Sequence, residues 1–380
     1  MPFKGFLFKL ARGLQTQRLG GCYWWFSILL WIAFVAPAQA LQLRVAIENG
    51  VNQVKLGSST KAIVRDGAGR TLGEIAPMNG FIAQPYNGKV ALGSWQSGQI
   101  SIEPIKGGYV WIGDRWYRGR ARIVPTNKGL TAVNQVDLEQ YLYSVLGAEM
   151  DGSWPLEALK AQAVAARTYA LYKRQSSANS VYDLGSTQAS QVYKGLQTES
   201  QRTLMAVSAT NGQVLTYRGK IILAAFHSAS GGHTENVEDV WSDPLPYLRG
   251  VPDYDQGTPG YQWVKNFSPT ELGRRLGLGI VRSVIPERIT RYGSAIAVKV
   301  VSDRGTRSLS GTQLRERLGL RSTRFTVTST PTAFQINGRG FGHAIGMSQW
   351  GAYKLAKSGA NYQQILLHYY RGATLAKIKG

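Results

Sequence analysis

Three stretches of this chain gather polar side chains beside tight glycine turns: residues 145–169, 226–253 and 338–350, which hold three of the four histidines. Accessible polar groups on turns, backed by regular elements, are what a cleft needs. In the first stretch Glu149 follows Val145, Leu146, Gly147 and Ala148 and precedes Met150. Such apolar surroundings disfavour a carboxylate and raise its pKa, the property of a general acid. The same group could instead cap the following helix or pair with Arg167. Lys160 and Arg167, seven apart, share one helix face that could bind acidic groups or simply be solvated, while Gln162 projects elsewhere.

The second stretch reads Phe226-His227-Ser228-Ala229-Ser230-Gly231-Gly232-His233-Thr234-Glu235. His227, His233 and Glu235 could ligate a metal, and Ser230 near His227 could pair nucleophile and base, but neither spacing is specific and no strand-turn-helix elbow surrounds the serine. A polar turn lining a sugar cleft is the simpler reading. In the third stretch the glycines between Gly338 and Gly351 do not fit G-x-G-x-x-G, and no acidic residue follows at the dinucleotide spacing. They let backbone and His343 approach a ligand closely.

The elements that must position these groups are legible in outline. Residues 41–131 alternate in the manner of strands, with Leu41, Leu43, Val45 and Ile47 the clearest run. Trp95, Trp111 and Trp116 lie in this part and could stack on sugar or fill a small β core. From Val136 the period changes, and Leu156, Leu159, Ala163, Ala166 and Ala170 predict a helix over 154–172, capped by Ser153 or Asp151 with Pro155 in its first turn. A helix over 199–210 ends at Asn211-Gly212, and strands fit 214–217 and 221–226. Residues 265–331 are a mixed region with a strand near 296–301, a helix near 312–318 and no chemical signal. A strand at 333–336 and helices near 347–357 and 362–370 follow. The expected fold class is α+β: a β-rich portion at 41–131 and one mixed domain at 132–380.

The 380 residues, 43% of them apolar, suffice for one large core or two moderate ones, and the 44 glycines favour a turn-rich fold. Residues 1–40 carry Lys4, Lys9, Arg12 and Arg18, then an apolar run, then Ala38-Gln39-Ala40. This predicts an export signal cleaved after Ala40, or an uncleaved anchor, so the remainder is expected to be exported to the periplasm or cell envelope. Cys22, the only cysteine, falls in that segment, leaving oxygen and nitrogen groups for any chemistry. Beyond it, 40 basic face 22 acidic residues. For an exported protein that surplus points to an anionic wall polymer or lipid surface or to a merely basic surface; no nucleic-acid recognition signature accompanies it.

Glu149-Met150 with Trp154-Pro155, the run from Glu157 to Ala170, His227-Ser228 with Ser230-Gly231-Gly232, and the segment from Gly338 to Gly351 resemble the SpoIID/LytB family in residues, order and spacing over about two thirds of the chain. The resemblance implies a SpoIID-like fold and a peptidoglycan lytic transglycosylase that leaves 1,6-anhydromuramyl ends, with the catalytic glutamate at Glu149. It further implies Lys160, Arg167, His227, Ser230 and Gln349 as cleft residues. One carboxyl group would serve as acid and then base, without the second carboxylate of ordinary glycoside hydrolysis. The implied partners are peptide-poor glycan strands and a cell-wall amidase, the chain acting as enzyme or as a non-catalytic enhancer. Some relatives carry a Cys-Cys-His zinc site before the Gln-x-Tyr-x-Gly element, here Gln191 to Gly195; Gly185, Ala189 and Ser190 supply no such ligands, so no metal or other cofactor is expected. Ala344 stands where a glycine is usual.

Overall fold

The computed structural model describes residues 41–177, 181–241 and 243–378, so the export segment inferred from residues 1–40 lies outside them. The β-rich portion forms two sheets, antiparallel except at one edge. One, of seven strands, runs from Leu184–Gly185, paired in parallel with Gln42–Val51, through Gly129–Asp137 and Arg120–Thr126 to Thr71–Ile75; the other, of six strands, runs from Arg115–Tyr117 to Trp95–Ser97. Alternation put Leu43 and Val45 inward, and both are fully buried. Trp95 packs on Phe81 and Gly73, and Trp111 and Trp116 meet edge to face at 5.1 Å.

Strand Gly129–Asp137 runs directly into helix α1 (Leu138–Glu149), because Asp137 turns its carboxylate onto the amides of Glu139 and Gln140. The change of period at Val136 marks this junction, but the sequence pattern predicts no separate helix before residue 154. Helix α2 (Leu156–Ser176) follows after one turn, and its cap differs from expectation: Pro155 occupies the N-cap, while Asp151 bonds the Ser153 amide outside the helix. Six alanines of α2 (158, 161, 163, 165, 166 and 170) are fully buried, so this helix is surrounded by neighbours rather than set on a surface. It packs against α1, α3 (Gln201–Ala209) and the strand Gln213–Tyr217.

The predicted strand over 221–226 is instead a short bridge at Lys220–Ile221, an irregular stretch, and a two-residue strand Phe226–His227. In that stretch the Leu223 amide donates to the Tyr247 hydroxyl, so the backbone is satisfied without a ladder. After the one-turn helix α4 (Val237–Val240), residues 262–339 form a lobe of two three-stranded sheets with helices α5 (Pro269–Leu276) and α6 (Gly311–Leu318). This lobe has its own core, built on Trp263, Leu272, Val298, Leu314, Phe334 and Ile336. The chain then returns to the main body through Met347–Ser348, which pairs in parallel with Phe226–His227, and ends in α7 (Gln349–Lys357), α8 (Tyr362–Tyr369) and Thr374–Lys377. The main core is continuous from Leu43 to Ala373 and joins both sheets of the β-rich portion to the helices.

Candidate active site

Glu149 is the last residue of α1; Met150 leaves the helix in extended conformation and is buried. The half-buried carboxyl group is therefore held by a rigid element while the chain behind it turns away. Its Oε1 accepts from the Val192 amide at 3.1 Å and its Oε2 from the Gln349 side-chain amide at 3.2 Å. Among the described residues no cation pairs with it. Burial raises its pKa above the ordinary carboxylate value, and the two donors oppose that shift without cancelling it. Its place at a helix C-terminus, the negative end of the dipole, acts in the same direction as burial. Tyr141 and Tyr169 lie within electrostatic range, their hydroxyl pKa values raised by burial and then by this carboxylate.

The donor at Val192 belongs to a strap laid across α1. Gln191 is wholly buried, accepting from the Tyr141 hydroxyl at 3.1 Å and donating to the Ala166 carbonyl of α2 at 3.2 Å. Tyr193 is pinned by its hydroxyl to Asn134 at 2.7 Å. With side chains anchored on either side, the Val192 amide has little choice but to face Glu149. Gly147 lets the turn Gly195–Thr198 beyond the strap pack close on α1: a Cβ there would lie 1.8 Å from the Thr198 carbonyl oxygen. Nothing in the Val192 side chain signals its role, since the backbone does the work; the flanking Gln191 and Tyr193 are the readable sign.

Gln349 opens α7, whose cap is Ser348, and the parallel bridge to Phe226–His227 fixes that helix start. His227 and His343 lie with ring centres 5.4 Å apart. His343 Nδ1 accepts from the Ile345 amide, and His227 Nδ1 faces the Ile345 carbonyl, so His227 carries its proton there and leaves Nε2 as a buried acceptor with no partner among the described residues. Burial pushes both pKa values down to about 3, so both rings are neutral at physiological pH. The exposed Trp241 lies 5.1 Å from His343.

On the other side, Trp154 from the turn after Glu149 meets Trp350 beside Gln349 at 4.5 Å, with Tyr353 at 5.1 Å. They line a depression of about 430 Å³ with Ser153, Pro155 and Lys357. Partly exposed aromatic rings suit the apolar faces of sugar rings. Trp154 and Trp350 lie within the motifs but carry no site role in the sequence; their nearness to Glu149 and Gln349 in the chain is the available signal.

Three expected cleft residues are engaged elsewhere. Arg167 is fully buried, paired through Nη2 with Glu139 at 2.6 Å and bonded to the Gln213 carbonyl. Glu139 stands ten residues before Glu149 on α1, about 15 Å along the helix, so Arg167 neither faces a cleft nor forms the Glu149 pair weighed above. Lys160, on the same helix, pairs with Glu157 at 2.7 Å and lies over the Tyr362 ring, joining α2 to α8. Ser230 donates to Asp253 at 2.6 Å, and the Tyr369 hydroxyl donates to the other oxygen of that carboxylate, which makes the serine a brace of the glycine turn rather than a partner of His227. Two residues considered for a metal have other partners: His233 stacks on Tyr292 at 3.8 Å and Glu235 pairs with Arg324 at 2.9 Å.

A family model described as SpoIID, stage II sporulation protein, matches residues 126–217, the span from the strand before α1 to the strand after α3. The chain is 34% identical over 264 residues to stage II sporulation protein D of Bacillus subtilis, covering 65% of this chain and 76% of that one. It is 35% identical over 265 residues to an uncharacterized protein of Brachyspira hyodysenteriae, covering 68% and 72%. The amidase enhancer of Bacillus subtilis is 33% identical over 372 residues, covering 76% of this chain and half of the enhancer. With most of the sporulation protein's length matched and the strap, α1 and α2 all inside the family model, this chain belongs to the SpoIID/LytB family.

Proposed function

We propose that this protein is a peptidoglycan lytic transglycosylase of the cell envelope, with Glu149 as its single acid and base. Family membership gives it a cell-wall-related role. The observation that carries the reaction is one half-buried carboxyl group with a raised pKa, held by two neutral N–H donors and, among the described residues, by no cation. In its protonated form it gives a proton to the oxygen linking N-acetylmuramic acid to N-acetylglucosamine as that bond breaks. The resulting carboxylate, steadied by Val192 and Gln349, then accepts the proton of the muramyl 6-hydroxyl as that oxygen closes on C1. The intramolecular hydroxyl replaces water, so a second carboxylate is unnecessary. Trp154, Trp350 and Tyr353 supply a platform for neighbouring sugars.

The test uses purified glycan strands freed of stem peptides, with products analysed by mass. The wild-type chain yields fragments ending in 1,6-anhydromuramic acid, and Glu149→Gln yields none; an unchanged product pattern in that variant removes Glu149 from the mechanism. A second reading is favoured by the likeness to an amidase enhancer across 76% of this chain: a non-catalytic wall-binding protein that stimulates an amidase. On that reading the wild type binds strands without cutting them, and Glu149→Gln stimulates the amidase as well as wild type does.

A further inference from the structure

We infer that the hollow between the Trp111–Trp116 hairpin and the turn Gly195–Thr198 binds one ring of a glycan strand, as a docking site separate from Glu149. Strands Val110–Ile112 and Arg115–Tyr117 pair so that Trp111 stands opposite Trp116. Val110, Ile112 and Tyr117 are buried, which puts both indoles on the other side of the hairpin, partly exposed and 5.1 Å apart. A cross-strand aromatic pair stabilises a hairpin without further help. Here a third wall is added. Gly195 brings the turn onto the hairpin, since a Cβ there would lie 2.0 Å from the Trp116 carbonyl oxygen. Leu196 and Gln197 then close a hollow of about 420 Å³ with both indoles, Asp114 and Arg115.

The chemistry of the lining selects the occupant. Arg115 reaches Asp114 at 3.2 Å and donates from Nε to the Gln197 Oε1 at 3.3 Å, giving a row of carboxylate, guanidinium and amide beside the rings. Among the described residues the other Asp114 oxygen and the Gln197 Nε2 have no partner. A sugar ring offers an apolar C–H face to an indole and, along its rim, adjacent hydroxyls for planar polar groups. An anionic ligand is disfavoured. Asp114 offsets Arg115, and Glu48 comes to the hairpin turn, its Oε1 2.8 Å from where a Gly113 Cβ would stand. The chain's surplus of +22 is therefore absent from this spot, which suits neither a phosphate polymer nor a nucleic acid. A proline-rich segment would cover the same rings but leave the polar row desolvated and unpaired. That the sugar belongs to wall glycan rests on the function proposed above. The turn continues the strap that sets the Val192 amide on Glu149, and Leu196 is four residues beyond Val192, at most about 14 Å of chain.

The experiment measures, by calorimetry, binding of peptide-free glycan strands to the full chain carrying Glu149→Gln, so that nothing is cut. Adding Trp116→Ala is expected to weaken binding about tenfold, the loss of one aromatic anchor, and Trp116→Phe to restore most of it. Gln197→Ala, at an exposed position outside the hairpin, is expected to cost about threefold, the loss of one hydrogen bond; it carries the test if thermal unfolding shows Trp116→Ala to be misfolded. Both ratios are expected to hold from low to high salt, because the contact has no net charge to screen. Unchanged affinity in Trp116→Ala and Gln197→Ala, or no binding in any form of the chain, would overturn the site. Ratios that collapse as salt rises, or a loss in Trp116→Ala of binding to poly-L-proline in place of glycan, would overturn the ligand class. The two readings fail separately: a wild-type chain that forms no anhydro ends, with Trp116→Ala still weakening the binding of strands, defeats the transglycosylase and keeps the hollow.

Discussion

At Glu149 two opposing influences meet. Burial raises the carboxyl pKa, and hydrogen bonds from Val192 and Gln349 lower it. Removing one donor therefore has a definite sign: Gln349→Ala raises the pKa further, and the descending limb of the pH–rate profile, which reports loss of the acid form, moves to higher pH while the maximal rate falls. An unmoved limb would separate Gln349 from the proton transfer. The same shift links to stability. A carboxyl whose folded pKa is raised contributes stability that is fully present below its unfolded pKa, about 4.3 for glutamate, and lost as pH rises through the folded value. Glu149→Gln is thus expected to melt at a higher temperature than wild type at pH 7, with the gap narrowing as pH falls through the raised folded pKa and closed below about 4.3. The histidines act in the opposite sense: burial lowers both pKa values to about 3, so the unfolded chain takes up protons that the folded chain refuses, and their contribution to stability is lost as pH falls below about 6.5.

The helices divide into those that present groups and those that hold the presenters. Arg167 belongs to the second kind. Cutting it to alanine leaves Glu139 without its cation and the Gln213 carbonyl without its donor, and breaking such a buried pair costs about 3–5 kcal/mol. Denaturant unfolding is expected to show that loss, while the pH limb of whatever folded fraction remains stays in place. The sequence made α2 plain because alanine and leucine recur there at helical spacing. It concealed α1 because Tyr141, Tyr143 and Val145 are strand-favouring types at alternate positions directly after a real strand. The apolar neighbours of Glu149 mark it as a candidate, whereas nothing marks Val192, whose backbone amide is aimed at that carboxyl group by residues on either side. Sequence alone misplaces Arg167 and Ser230 because polar residues within a motif read alike whether they face a cleft or brace the fold.

On the scale of the whole molecule, two cores are joined by a buried polar junction. Glu235, fully buried, takes Arg324, Thr290 and Ser294 on one oxygen, and Arg324 also donates to the Ser230 carbonyl. Arg324→Gln removes the cation from that junction at a cost of about 3–5 kcal/mol. Amide exchange should then quicken in Gln262–Phe267 and Phe334–Arg339 before it does in Gln42–Val51. Uniform acceleration would mean that the lobe and the main body open as one. The contact between Glu149 and Gln349 spans 200 positions of the chain. A ribosome that has finished the acid's own helix still has that entire distance to translate before the second donor exists. Every nascent or prematurely terminated copy therefore carries the carboxyl group without its full cradle, and assembly of the site is postponed until the lobe has been made and the polypeptide has come back on itself.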